Sequence, residues 1–194
     1  MDTSRLIGRT EECDRLTRCM SEIDAQLIIL YGRRRVGKTY LISKFFEGQF
    51  DFKLTGVFDE PRSVQLRNFS NELSRQTGVE HNVPKDWTDA FGLLRNYLEN
   101  LPKDNKKVVF FDEMPWLDTK NSGFLSAFEW FWNDWGSTVD NLVFIVCGSA
   151  SSWMSKNIAN NKGGLFNRQT CSIYLKPFNL YEVEEYLESR NIFW

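Results

Sequence analysis

Leu27-Ile28-Ile29-Leu30-Tyr31-Gly32-Arg33-Arg34-Arg35-Val36-Gly37-Lys38-Thr39-Tyr40-Leu41-Ile42 is the stretch that decides the fold. Its middle, Gly32 to Thr39, is G-x-x-x-x-G-K-[ST], a phosphate-binding loop, and its setting is the one such a loop requires. The apolar run Leu27-Ile28-Ile29-Leu30 reads as a buried strand before the loop. The pairs Leu41-Ile42 and Phe45-Phe46, four residues apart, mark one face of a helix after it.

Phosphate chemistry accounts for these residue types. A triphosphate needs many donors close to its oxygens. Gly32 and Gly37 let the backbone curl so that successive N–H groups point inward. A helix starting near Gly37 adds its positive end and its unsatisfied N–H groups. Lys38 supplies a mobile positive charge for the β- and γ-phosphates, and the Thr39 hydroxyl is a Mg²⁺ ligand. The nucleotide-binding set is therefore Gly32, Arg33, Arg34, Arg35, Val36, Gly37, Lys38, Thr39 and Tyr40.

A second landmark lies about 75 residues on. Lys107-Val108-Val109-Phe110-Phe111-Asp112-Glu113 has four consecutive apolar residues, as in a strand buried on both faces of a parallel sheet. Two acids follow at its carboxyl end, where ligands bind in open α/β sheets. Asp112 is placed to hold Mg²⁺, through water, opposite Thr39. Glu113 is placed to polarise an attacking water.

Composition narrows the classes. The chain has 194 residues, 42% hydrophobic and 26% charged, enough for one α/β domain plus at most a fragment of another. Net charge is −2, so no global basic field points to nucleic acid or acidic lipid. No apolar run approaches the ~20 residues of a membrane span, and no apolar segment follows Met1-Asp2-Thr3-Ser4-Arg5 to make a signal peptide. Cys13, Cys19, Cys147 and Cys171 lack C-x-x-C spacing and read as free buried thiols in a reducing cytoplasm. His81 is the single histidine and lies in a polar loop. It reads as solvated, and zinc or histidine chemistry is set aside.

The remaining segments alternate strand and helix. Thr10 reads as the N-cap of a helix whose apolar face is Cys13, Leu16, Cys19, Met20 and Ile23. Ile7-Gly8-Arg9 before it is either part of an ordinary packing element or a segment lying against adenine and ribose, which makes Gly8 and Arg9 binding candidates. Strands are predicted near 52–58, 142–147 and 171–176, besides those at 27–31 and 107–112. Helices are predicted from about Ser63 to Gly78, from Thr88 to Asn100, and to about Trp135 after a cap at Asn121 or Ser122. On that last helix Trp130 points away from the apolar arc. Ser149, at the tip of the fourth strand, either senses a γ-phosphate, orients water or caps a helix. Residues 157–167 read as a mobile loop. Arg168 after it is either a surface arginine or one that reaches a γ-phosphate, in cis or from a neighbouring subunit. Asn179 and Glu182 suggest a capping box. Repeated βα units with right-handed crossovers imply a parallel sheet.

Together these residues resemble the archaeal and bacterial AAA-type ATPase domains of the STAND-like branch of P-loop NTPases. The matching segments are Ile7-Gly8-Arg9-Thr10-Glu11-Glu12, Tyr31 to Thr39, Phe110-Phe111-Asp112-Glu113, Val146-Cys147-Gly148-Ser149, Gly163 to Arg168, and Leu175-Lys176-Pro177-Phe178. The resemblance implies a three-layer α/β fold, RecA/AAA-like, with a five-stranded parallel sheet in the order 5-1-4-3-2. It makes Asp112 and Glu113 the Walker B acids, Ser149 sensor 1 in place of a more usual asparagine, and Arg168 a candidate arginine finger. It further implies residues 1–178 as the ATPase domain and 179–194 as the start of a truncated helical lid.

The function expected is an ATP-binding, Mg²⁺-dependent ATPase that works as a nucleotide-driven switch in a larger, cytoplasmic protein. The catalytic set is Glu113, Lys38, Arg168 and Ser149, with Thr39 and Asp112 at the metal. Turnover by this chain alone is expected to be slow. The alternatives are a non-hydrolysing nucleotide-dependent scaffold and, third, a P-loop kinase, for which an acid pair aimed at water is a poor match. Expected partners are ATP and ADP, then a second copy of the chain or a C-terminal domain. DNA enters by family analogy only.

Overall fold

The first strand, β1 (Gln26–Tyr31), shows why the chain folds as it does. Leu27 and Ile29 face one apolar cluster, while Ile28 and Leu30 face another. A strand apolar on both faces needs cover on both, and helices supply it. The computed structural model describes residues 6–149, 151–159, 165 and 168–192.

Around β1 stand α1 (Thr10–Ser21), α2 (Lys38–Phe45), β2 (Phe52–Thr55), α3 (Arg62–Thr77), α4 (Trp87–Glu99), β3 (Lys107–Asp112), α5 (Phe124–Asp134), β4 (Leu142–Gly148), the short α6 (Ser151–Met154), β5 (Cys171–Tyr174) and α7 (Leu180–Glu188). The sheet order is β2-β3-β4-β1-β5 and every pairing is parallel. This is the predicted order 5-1-4-3-2 read from the other edge. Side chains of α1 and α2 cover one face with Leu16, Leu41, Ile42 and Phe45. Those of α3, α4 and α5 cover the other. That second layer is strongly aromatic, with Phe69, Trp87, Phe91, Phe124, Phe128 and Phe131 around Phe111 and Phe144 of the sheet.

Local signals explain most boundaries. α3 stops where Gly78 takes φ +69, a left-handed C-cap. Asp86 caps α4 by accepting from the Asp89 N–H at 2.9 Å. The capping box at α7 is present in both directions. Trp130 does point outward, 49% exposed.

Five expectations are corrected. Thr10 is the first helical residue of α1 and makes no cap bond; Arg9 holds the N-cap position. Ile23 is exposed, because α1 ends at Ser21 and the helical face does not extend to it. β2 ends at Thr55, and Gly56 to Phe58 lie beyond it. α5 is entered through Gly123 at φ +72, with Ser122 one position further back accepting from the Phe124 N–H at 3.2 Å. His81 is half-buried and hydrogen-bonded, its Nε2 3.0 Å from Thr77 Oγ1. Of the predicted loop at 157–167, residues 157–159 belong to a π-helical turn, and 160–164 and 166–167 lie outside the described residues.

Candidate functional site

Three strand tips meet at the carboxyl edge of the sheet, and the loop after β1 is the centre. Gly32 lies so close to the chain after β5 that a Cβ there would stand 2.4 Å from the Leu175 carbonyl oxygen. Only glycine fits. Gly32→Ala is expected to destabilise the domain by roughly 1–3 kcal/mol, because backbone rather than a flexible side chain must yield. Its thermal unfolding midpoint checks this. Arg35 and Gly37 take φ +65 and +93, which turns the loop back on itself and starts α2 at Lys38.

Lys38 is buried, and its Nζ donates to Gly32 O at 3.2 Å and Arg33 O at 2.8 Å. The ammonium thus sits inside the loop, held by the loop's own carbonyls. Next to it, Thr39 Oγ1 donates to Asp112 Oδ2 at 2.8 Å. Asp112 Oδ1 accepts from the Glu113 N–H at 3.0 Å. The two hard oxygen donors, a hydroxyl and a carboxylate, lie side by side as a Mg²⁺ site shared with phosphate requires.

Glu113 takes the left-handed conformation, φ 47 and ψ 44, at the start of a 3₁₀ turn through Pro115. That turn swings its carboxylate across to the tip of β4. There Oε2 accepts from Ser149 Oγ at 2.7 Å and from the Ser149 N–H at 3.1 Å. Cys147 lies just below on β4. Burial pushes its thiol well up, and Asp112 beside it adds to the effect, so it is inert as a nucleophile.

A cavity of about 480 Å³ opens on the other side of the loop, lined by Ile7, Arg9, Val36, Tyr40, Phe178 and Tyr186 among others. Arg9 organises it. Its Nη2 donates to Val36 O at 3.1 Å, its Nη1 lies 3.4 Å from Glu12, and its guanidinium stacks 4.3 Å from the centre of the Phe178 ring. The lining has an apolar and aromatic character that fits a flat heterocycle. Gly8 does not line it. A Cβ there would stand 2.9 Å from Glu182 Cβ, so Gly8 instead makes room for α7.

The structure therefore brings Lys38, Thr39, Asp112, Glu113 and Ser149 together, with Arg9, Arg35, Val36 and Tyr40 at the adjoining cavity. Arg33 and Arg34 are exposed, and Arg34 turns away to stack on Phe58 and Trp116, at 5.8 and 5.6 Å. Arg168 is not at this site. It precedes β5, and the nearby Thr170 N–H donates to Leu27 O at the start of β1. At ~3.3 Å per residue, the loop after Tyr31 is roughly 15 Å further along the sheet. Of the alternatives left open for Arg168, the in-cis one is the harder to reach, because a parallel strand carries the residues before it at the opposite sheet edge from the phosphate loop.

Sequence reasoning missed Gln65, which is fully buried on α3. Its Nε2 donates to Val57 O at 2.7 Å and Trp116 O at 3.2 Å, and its Oε1 accepts from the Val57 N–H at 3.1 Å. It ties the loop after β2 to the loop carrying Glu113. Its one signal was a polar residue flanking the apolar face of α3. Phe178 and Tyr186 of the cavity were not named as binding residues either.

A parallel sheet of this order, with a phosphate loop after β1 and an acid pair after β3, defines a P-loop ATPase fold. The chain belongs to the family described as an ATPase domain predominantly from Archaea, whose family model matches residues 6–188. An uncharacterised protein of Methanocaldococcus jannaschii is 26% identical over 180 residues, which is 93% of this chain and 38% of that protein. An uncharacterised ATP-binding protein of the same organism is 58% identical over 43 residues, 22% of this chain and 73% of that protein. Among solved structures, a Walker-type ATPase of Pyrococcus abyssi superposes with a TM-score of 0.65 at 17% identity, covering 98% of this chain and 61% of that one. The chain thus spans well under two thirds of the first relative and slightly under two thirds of the solved one. No helix among the described residues is long and apolar enough to cross a membrane.

Proposed function

We propose that this domain binds Mg²⁺-ATP and hydrolyses it, and that nucleotide state is the signal it passes on. In this reading residues 1–178 form the ATPase domain and 179–194 open a helical lid. The observation that carries it is the Glu113 carboxylate, held at the tip of β4 beside the Thr39–Asp112 pair. Thr39 and Asp112 would hold Mg²⁺, which when bound neutralises charge on the phosphate oxygens. Lys38 exchanges its two loop carbonyls for phosphate oxygens. Glu113 accepts a proton from, and so polarises, the attacking water. Ser149 holds one carboxylate oxygen until a γ-phosphate competes for its hydroxyl, and this exchange is the switch. The base lies against Arg9 and Phe178. Adenine is the base assigned, supported by the relative named for ATP binding. Arg168, on the opposite sheet edge, acts only from a neighbouring copy.

Glu113→Gln is expected to lower phosphate release by at least about a hundredfold while nucleotide affinity stays within about threefold. Undiminished turnover in this variant overturns the reading. The second reading, a non-hydrolysing scaffold, draws on the same contact, since a serine clamped on Glu113 withholds it from water. It predicts nucleotide binding with no phosphate release above that of Glu113→Gln.

A further inference from the structure

The segment after β4 meets the turn after β3 at more than the Ser149–Glu113 contact. On α6, Trp153 Nε1 donates to Asp118 Oδ2 at 3.1 Å. Asp118 lies just past the 3₁₀ turn that Glu113 opens. The two stretches are also packed together. A Cβ on Gly148 would stand 2.7 Å from Met154 Sδ and 2.8 Å from Pro115 Cδ. A side chain of α6 and one of the acid turn therefore close on the same glycine, and Met154 is fully buried there.

The two hydrogen-bonded contacts differ in setting. Glu113 holds Ser149 by its hydroxyl and its N–H, beside the Thr39–Asp112 pair. Trp153 and Asp118 are half-buried. An indole N–H on a carboxylate is a charge-assisted bond. The Trp153 ring packs against the aromatic layer, so packing as well as the bond aims it. Beyond Met154 the chain enters the π-helical turn Ser155–Ala159, with Ile158 buried. Such turns are rare and recur at functional sites.

We propose, building on the assignment of Ser149 and Glu113 as the exchanging pair, that Trp153 and Asp118 are positioning residues. Their bond holds α6 against the acid turn and so keeps Ser149 seated on Glu113 while no nucleotide is bound. With α6 pinned, the Ser149 N–H stays on the carboxylate and only the hydroxyl is free to turn to a γ-phosphate. With α6 released, both donors leave together, and the Glu113 lone pairs open to water. The Trp153–Asp118 bond thus restrains hydrolysis in the resting domain.

The test compares wild type, Trp153→Phe, Asp118→Ala and Asp118→Asn without nucleotide, by amide hydrogen exchange and mass spectrometry. Trp153→Phe keeps a ring in the layer and removes the N–H. This variant and Asp118→Ala are expected to speed exchange in peptides covering 148–154 by roughly tenfold, with β1 and α4 unchanged. Asp118→Asn keeps an acceptor and is expected to stay within about threefold of wild type. Phosphate release is the second readout: Trp153→Phe and Asp118→Ala should raise kcat roughly threefold to tenfold, with KM within about twofold. Unchanged exchange at 148–154, equal speeding throughout the sheet, Asp118→Asn as fast as Asp118→Ala, or a lowered kcat each overturns the inference. A wild-type protein that releases no phosphate overturns the ATPase reading instead, because the exchange comparison needs no nucleotide. Trp153→Phe and Asp118→Ala break the same bond from its two ends, so either decides the matter where the other fails to fold.

Discussion

Lys38→Ala is expected to weaken nucleotide binding by at least about a hundredfold and to leave the fold intact. The ammonium is already inside the loop, bonded to the Gly32 and Arg33 carbonyls. A phosphate arriving there meets a cation that need only change partners. Each charge-assisted hydrogen bond is worth about 1.5–3 kcal/mol, and each 1.4 kcal/mol is a factor of about ten in affinity. Two such bonds therefore reach a hundredfold or more. The fold does not depend on them, because the two apolar layers that hold the sheet are built from other residues. Lys38→Arg is not expected to rescue binding, since a planar guanidinium cannot occupy the position of a compact ammonium. Titration with a fluorescent ATP analogue, alongside thermal unfolding, checks both halves. An affinity within threefold of wild type would show that the loop does not engage phosphate through this residue.

The phosphate loop, the alternation of strand and helix and the acid pair were legible in the residues themselves, for a physical reason, whereas the sheet order came from the family resemblance. The first three depend on residues adjacent in sequence: a strand, a tight glycine turn and a helix start, or a strand and the acids that end it. What failed depended on where elements run in space. Ile23 continued the apolar spacing of α1 but lies past its end, in a segment that no longer follows the helix. For Arg168 the choice between its own chain's nucleotide and a neighbour's was left open, although it stands before a strand of the sheet. The strand is parallel, however, so residues before it belong to the far edge, and that inference was available from topology alone. The Ser149–Glu113 contact was hidden more deeply. It depends on the left-handed turn at Glu113, a conformation that no residue type announces.

The largest effect on stability is expected from Phe91→Ala. Phe91 is fully buried on α4 and its ring contacts five others. It stacks on Phe111 of β3 with centroids 5.9 Å apart and on Phe131 of α5 at 5.0 Å. Trp87, Phe124 and Phe128 surround it at 6.2, 6.0 and 5.9 Å. Rings pinned on so many sides cannot collapse into the space left behind, which puts the cost at about 3–5 kcal/mol. Against a total stability of about 5–15 kcal/mol, this is a large fraction. The thermal midpoint should fall by roughly 6–20 °C, taking ~2–4 °C per kcal/mol for a domain of this size. Trp130→Ala, on the solvent side of the neighbouring helix, should change stability by less than about 0.5 kcal/mol. A midpoint for Phe91→Ala within 2 °C of wild type would mean that the aromatic layer repacks freely.

Gln65 has a mechanical consequence. Because one amide bonds to both loops, the tips of β2 and β3 form a single stiff body anchored on α3. A force on the exposed Phe58, or on Trp116 beneath it, is borne by the same body that carries the Glu113 backbone. The outer rim of the domain and its acid are thus two ends of one lever, with the side chain of Gln65 as its rivet.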